Sequence, residues 1–400
     1  MKTVLLSLIT GFCTFTSLAA QVTSNDHLQK RAERICDSIR TTYLPDKRVG
    51  IFQTEFRLNG SHLVLTGNTT LPDASQALQA SLQKAGFEVE GNLRLLPDTE
   101  ELGEKTWGVV NMSVCNMRSA PDYDAGQSTQ ALLGMPVKII EKDGWLHVQT
   151  PDEYLSWVLP ASIQRMTRAE LSEWNRSPQI VVTDIYGFVY SQASEKSQTV
   201  SDVVSGNRLK YLGKKGKFYE VGYPDGRRGF LPKRSGQPLD EWRKNIKHDA
   251  ESILNSGRLL IGVPYMWSGT STKGVDCSGF VRTTLLMHDI IIPRDASQQA
   301  LKGQRIEIEE GFKNLQPGDL LLFGTKAQNG KRERVSHVGF YTNNGRFIHS
   351  LGWVKEASFN PEDPDYDAYD LNRLLFAVRI LPFINQEKGL NTTDQNEFYH

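Results

Sequence analysis

The sequence predicts a multidomain α+β protein, and three observations carry that expectation. At 400 residues the chain is longer than one ordinary core accommodates. Two stretches in its middle repeat one pattern of short alternating strands broken by Gly, Asp and Pro turns. Near residue 277 a glycine-rich loop passes into a helical pattern, and strand patterns follow it. The expected elements are an N-terminal α/β unit, two small β-barrels and a C-terminal α+β domain.

Composition narrows the function classes. The chain is 39% hydrophobic and 23% charged, as in globular proteins, and Lys plus Arg equals Asp plus Glu at 46 each. A zero net charge excludes the broad basic footprint that nucleic-acid binding needs, so no nucleic-acid partner is expected. "MKTVLLSLITGFCTFTSLAA", residues 1–20, has a basic start, an apolar run and a small-residue end. It reads as a signal peptide, which predicts export to the periplasm or the medium. Phe12 before Cys13 does not suit a lipid-attachment site. No later segment reaches the ~18 apolar residues of a membrane span, so none is expected once the leader is removed. Cys36, Cys115 and Cys277 then remain. An odd number in an oxidising compartment leaves a partner-seeking or working thiol. Cys36 and Cys115 are candidates for one disulfide, with Cys277 left over.

Residues 21–105 read as the α/β unit. "HLQKRAERICDSIRTTYL" has helical spacing, and "VGIFQTEFRLNGSHLVLTGNTTL" gives two strands joined at Asn59-Gly60. "PDASQALQASLQKAGF" is a helix with Pro at its start and Gly86 at its end. The repeated stretches are residues 131–160 and 203–232. Gly134 matches Gly206, Val137 matches Leu209, Gly144 matches Gly216 and, after a one-residue gap, Trp157 matches Phe230. They resemble tandem bacterial SH3-like domains over residues 108–168 and 176–235. "PKRSGQPLDEWRKN" reads as a linker into the last domain, residues 245–385. The tail, residues 386–400, is polar and expected to be disordered.

The chemistry gathers in the last domain. Cys277 falls in the first turn of a helix continued by Phe280, Val281, Thr284, Leu285 and His288. Unsatisfied N–H groups and the helix dipole there favour an anion, so a lowered thiol pKa is expected. Gly269, Gly274 and Gly279 permit close approach. "RVSHVGFYTNNGRFIHS" reads as two strands around Asn343-Asn344-Gly345, with His337 on one and His349 on the other. A bulge or an odd-length loop would put the imidazoles directly opposite each other. His337 would then take the thiol proton and His349 would fix its tautomer. A metal site using Cys277, His337 and His349 is the other reading, but the CxxC and HxxxH pairs of most zinc sites are missing.

In order along the chain, "GVPYMWSGTSTKGVDCSGFV", "PRDASQQ", "LQPGDLLLFG", "VSHVGFY" and "FIHS" resemble the NlpC/P60 cysteine peptidases. The resemblance covers the last third of the chain. It implies a papain-like α+β domain with Cys277 as nucleophile, His337 as base and His349 as third polar residue, and no metal or organic cofactor. With the leader and the SH3-like domains, the chain is similar to the γ-D-glutamyl-L-diamino acid endopeptidases (dipeptidyl-peptidase VI). Those enzymes cut cell-wall stem peptides after L-Ala-γ-D-Glu and need the free amine of L-Ala. That subgroup implies substrate-binding roles for Tyr154, Tyr265, Trp267, Asp276, Ser278 and Asp295. Asp276 also reads as a helix cap. The acid that precedes the "QALLG" phrase in the subgroup is replaced near Gly126, where Asp122 and Asp124 are the nearest acids. The alternatives are a broader hydrolase of intact peptidoglycan and a non-catalytic wall-binding protein.

Overall fold

The computed structural model describes residues 13–328 and 330–400, with side chains from residue 26. The leader read over residues 1–20 lies outside the described residues, apart from the backbone of 13–20, which begins the helix Cys13–Tyr43. The chain divides into two compact units, one ending at Asp98 and the other spanning Thr99–His400. Thr99–Leu102 forms a helical turn whose Leu102 joins the core of the first barrel, so the first unit closes earlier than residue 105.

In the first unit, strands Phe52–Asn59 and His62–Thr69 form an unbroken antiparallel hairpin. Gly60 takes φ +62° in its two-residue turn, a conformation that costs glycine little. The helix Pro72–Lys84 has Pro and Asp73 in its first turn and Lys84 in its last, and Gly86 lies just beyond at φ +87°. It leads into Glu88–Gly91, which pairs parallel with the second hairpin strand. Leu63, Leu65, Leu78, Leu82 and Phe87 close the core around Cys36.

The second unit begins with two seven-stranded antiparallel barrels, over 107–166 and 179–238. The matched glycines do matched work. Gly144 and Gly216 sit at the tips of equivalent hairpins at φ +64° and +57°. Each barrel has its own core, one around Cys115, Val137, Ile139 and Val148 and one around Val189, Leu209, Val221 and Leu231. Cys36 and Cys115 do not pair. Both are free thiols buried in the cores of different units, and burial pushes Cys115 up to about 11.

Two segments read as loose are folded. Gly236–Pro238 pairs with Gln179–Val182 as an edge strand, and the expected linker continues as the helix Leu239–Asn245, burying Leu239 and Trp242. The tail is ordered. Asn391–Thr392 pairs with Ile290–Ile291, and Phe398 is buried edge-on to Trp107 of the first barrel. Asn396 donates to the Pro151 carbonyl, and Asn175 donates to that of Phe398. Periodicity misses this because few of the tail's residues are apolar and each is fixed by a separate distant partner.

The last domain is a six-stranded antiparallel sheet in the order Gln304–Ile306, Leu374–Arg379, Leu320–Thr325, Arg334–Asn343, Arg346–Leu351, Trp353–Ser358. The run Leu320-Leu321-Leu322-Phe323 is apolar throughout because both sheet faces are buried. Leu320 and Leu322 join the core under the helix Cys277–Leu286, while Leu321 and Phe323 join a second core with Phe347 and Phe359. That helix is covered on every side, and its Arg282 pairs with Asp152 of the first barrel at 3.2 Å, both buried. Among the described residues no helix is long and apolar enough to cross a membrane.

Candidate active site

Asp276 fixes the start of the helix that carries Cys277. Its Oδ1 accepts from the Gly279 N–H at 2.7 Å, and its Oδ2 accepts from the Ser268 N–H at 3.0 Å, tying helix to loop. A Cβ on Gly279 would stand 1.8 Å from the Gly269 carbonyl oxygen, so only glycine lets the loop lie on the first turn. Cys277 is 8% exposed. Its thiol is seated against the sheet at Val338, the residue after His337, where the Ser278 and Val338 backbone groups favour the thiolate. They do not prevail. Burial, then the Asp276 carboxylate, push the thiol up to about 12. The lowered pKa expected at a helix start is therefore corrected: in a site this dry, desolvation outweighs the helix end.

The histidines come together by a different route from the one expected. A bulge between Tyr341 and Asn343 shifts the hairpin so that His349 faces Gly339, not His337. His337 reaches His349 along the diagonal, with Nε2 of one 2.9 Å from Nδ1 of the other. Gly339 makes this packing feasible, since a Cβ there would meet the His349 Cβ at 2.9 Å. Phe323 and Phe347 wall the pair. Burial, then the neighbouring His349, push His337 down to about 3, against the opposing pull of Asp370.

Asp370 was not anticipated. It lies in the helix Ala368–Arg373 and is fully buried, with Oδ2 3.2 Å from His349 Nδ1 and 3.8 Å from His337 Nε2. Burial pushes its carboxyl up, but the His349 hydrogen bond and the charges around it prevail and hold it below the usual carboxylate range. His337, His349 and Asp370 present donor atoms within 4.8 Å of one another, and Cys277 is not among them. The two ring nitrogens are turned onto each other in a hydrogen bond, an arrangement through which a proton can pass between the imidazoles.

Arg294 was also missed, although it stands inside the "PRDAS" phrase. It is 1% exposed, and its guanidinium grips Asp276 at 2.6 and 3.2 Å and Ser278 Oγ at 2.9 Å. Asp276 and Ser278, which the resemblance assigns to the substrate, thus have their polar atoms committed to Arg294, the helix cap and the loop. Asp295 likewise caps a helix, Ala296–Gln299, in a capping box with Gln298. It is 30% exposed, and its Oδ2 accepts from the Tyr154 hydroxyl of the first barrel at 3.2 Å. Tyr265 is half-buried beside the thiol, and burial, then Cys277 and Asp276, push its hydroxyl up to about 12. Trp267 is 73% exposed and stands at the rim. Near Gly126, Asp122 and Asp124 are exposed and Gln127 donates to the Ser268 carbonyl. In the acidic run 360–370, Asp363 and Asp365 hold Arg346 between them.

A helix opening on a buried thiol, laid on an antiparallel sheet with two coupled histidines, defines a papain-like thiol–imidazole domain. Residues 262–368 match the NlpC/P60 family and residues 117–163 match the bacterial dipeptidyl-peptidase Sh3 domain. The chain thus carries an NlpC/P60 domain preceded by a dipeptidyl-peptidase SH3 domain. It is 33% identical over 231 residues to a gamma-D-glutamyl-L-lysine dipeptidyl-peptidase of Bacillus cereus, covering 56% of this chain and 66% of that protein, just under two thirds of its length. It is 26% identical over 279 residues to a dipeptidyl-peptidase 6 of Lysinibacillus sphaericus, 68% of this chain and 97% of the relative. The crystal structure of an NlpC/P60 family protein from Bacillus cereus superposes with TM-score 0.58 at 26% identity, covering 69% of this chain and all of that one.

Proposed function

We propose that the protein is an exported cysteine peptidase that cuts the bond between γ-D-glutamate and a diamino acid in cell-wall stem peptides, releasing L-Ala-γ-D-Glu. The observation that carries this reading is the Tyr154–Asp295 contact. It closes the first barrel over the nucleophile's domain and sets the partly exposed Asp295 carboxylate at the site. A covered cleft suits short peptides released from the wall better than cross-linked polymer. A carboxylate there suits a free ammonium, which is costly to bury unpaired. The relatives' names agree with this substrate class, and the leader composition supports export to the periplasm or medium.

In the reaction, His337 takes the Cys277 proton as sulfur attacks the γ-glutamyl carbonyl. The tetrahedral oxyanion lies at the helix start, where the Cys277 N–H has no acceptor within the helix. Collapse expels the diamino acid's amine, which takes the proton from His337. Water activated by the same imidazole then releases the dipeptide and restores the thiol.

Mass spectrometry of L-Ala-γ-D-Glu-diaminopimelate and its N-acetylated form tests the proposal. Cleavage of the free peptide alone is expected. Cleavage of both would favour the broader wall hydrolase, and cleavage of neither, with Cys277 intact, would favour a binding protein. Tyr154→Phe keeps the ring and removes the hydroxyl. It should raise KM roughly tenfold with a smaller change in kcat, the scale of one hydrogen bond to a charged group. An unchanged KM would remove Tyr154 from recognition.

A further inference from the structure

We propose that Asp370 is a positioning residue of the thiol–histidine system, a buried counter-charge that keeps a proton between His337 Nε2 and His349 Nδ1 and supports the His337 imidazolium during turnover. The inference rests on the peptidase reading and adds to it a residue that lies beyond the matched family segment.

The geometry is specific. Asp370 has no solvent contact, so its charge is compensated within the protein. Oδ1 accepts from Arg373 Nη1 at 3.1 Å, and Arg373 Nη2 donates to Ser336 Oγ at 3.0 Å, beside His337. The carboxylate is thereby anchored to the strand it serves. Oδ2 has only the two imidazoles before it, 3.2 Å from His349 Nδ1 and 3.8 Å from His337 Nε2. An acceptor with full negative charge on the inner side of the pair favours a proton there. That proton lies in the 2.9 Å hydrogen bond between His337 Nε2 and His349 Nδ1. When His337 becomes an imidazolium, Oδ2 is the negative group on its inner side. Lys355 and Arg373 act on His337 in the opposite sense, as does His349, so Asp370 alone among these groups raises its affinity for a proton. Around the thiol itself the charged groups are Asp276 and Arg294.

Two readouts that need no peptide keep this inference separable from the substrate assignment. The first is the rate of Cys277 alkylation by iodoacetamide, mapped to that residue by mass spectrometry across roughly pH 5 to 9. Asp370→Asn should slow it about tenfold near neutrality, the scale of one pKa unit. With substrate, kcat should fall at least as far with KM little changed. The acid limb should move to lower pH, because His337 loses the group that favours its protonated form. Wild-type alkylation and an unmoved acid limb in a folded Asp370→Asn variant would overturn the proposal. The second readout covers a variant that does not fold: 15N NMR of the wild-type histidine rings. A proton shared by His337 Nε2 and His349 Nδ1 is expected, and both of these nitrogens bare would overturn the inference. Inactive wild-type enzyme that retained these signatures would sink the substrate assignment and leave Asp370's role standing.

Discussion

Cys277→Ala is expected to abolish cleavage of the free-amine peptide, a loss of roughly 10⁴-fold or more, as for other covalent nucleophiles. The fold should survive. Cys277 makes no disulfide, and alanine keeps the first-turn backbone that Asp276 caps. Binding should survive too, because recognition in the proposed mechanism runs through Tyr154 and Asp295. Steady-state kinetics with calorimetric titration of the peptide into the variant separates the two. Activity within tenfold of wild type would remove the thiol from the mechanism.

The second large effect falls on stability. Arg294→Met removes a guanidinium that is only 1% exposed and leaves Asp276 without its ionic partner, next to the nucleophile. Breaking a buried pair from one side typically costs about 3–5 kcal/mol. Urea unfolding of the unit Thr99–His400 should show a loss of that order. Asp276→Asn added to Arg294→Met should recover much of it, since no buried charge is then orphaned. Full additivity of the two losses in the double-mutant cycle would show that the pair is not coupled. Activity should fall with stability, because Asp276 and Ser278 shape the turn that presents the thiol.

What the sequence made legible follows from what is local. Cys277 at a helix start, the two histidines on one hairpin and the twin glycine-tipped barrels are short-range patterns, and each needs only its neighbours to be read. Asp370 and Arg294 are functional only through residues distant in sequence. Asp370 sits in an acidic, Tyr-rich run that looks solvated, and nothing within that run reports that one carboxylate turns inward. Arg294 stands beside a residue that was read, but an exposure of only 1% is invisible to charge patterning. The diagonal pairing of His337 and His349 depends on one bulge at the hairpin end, which shifts register without altering the alternation that marks the strands. The state of the thiol depended on a balance between a helix terminus and desolvation, and only the packed structure sets the second.

The tail carries a consequence for modularity. Its Asn391–Thr392 strand borders the peptidase domain at Ile290–Ile291, its Thr393 joins the buried cluster of Arg208, Arg243 and Asp289, and its Phe398 lies on Trp107. One short peptide therefore fastens both barrels and the peptidase domain together. A peptidase excised at residues 245–385 would leave behind the strand that completes its edge and the cations that neutralise Asp289. The barrels are not interchangeable attachments on a free-standing catalyst, and grafting this domain onto another targeting module would require transplanting the strap and its sockets along with it.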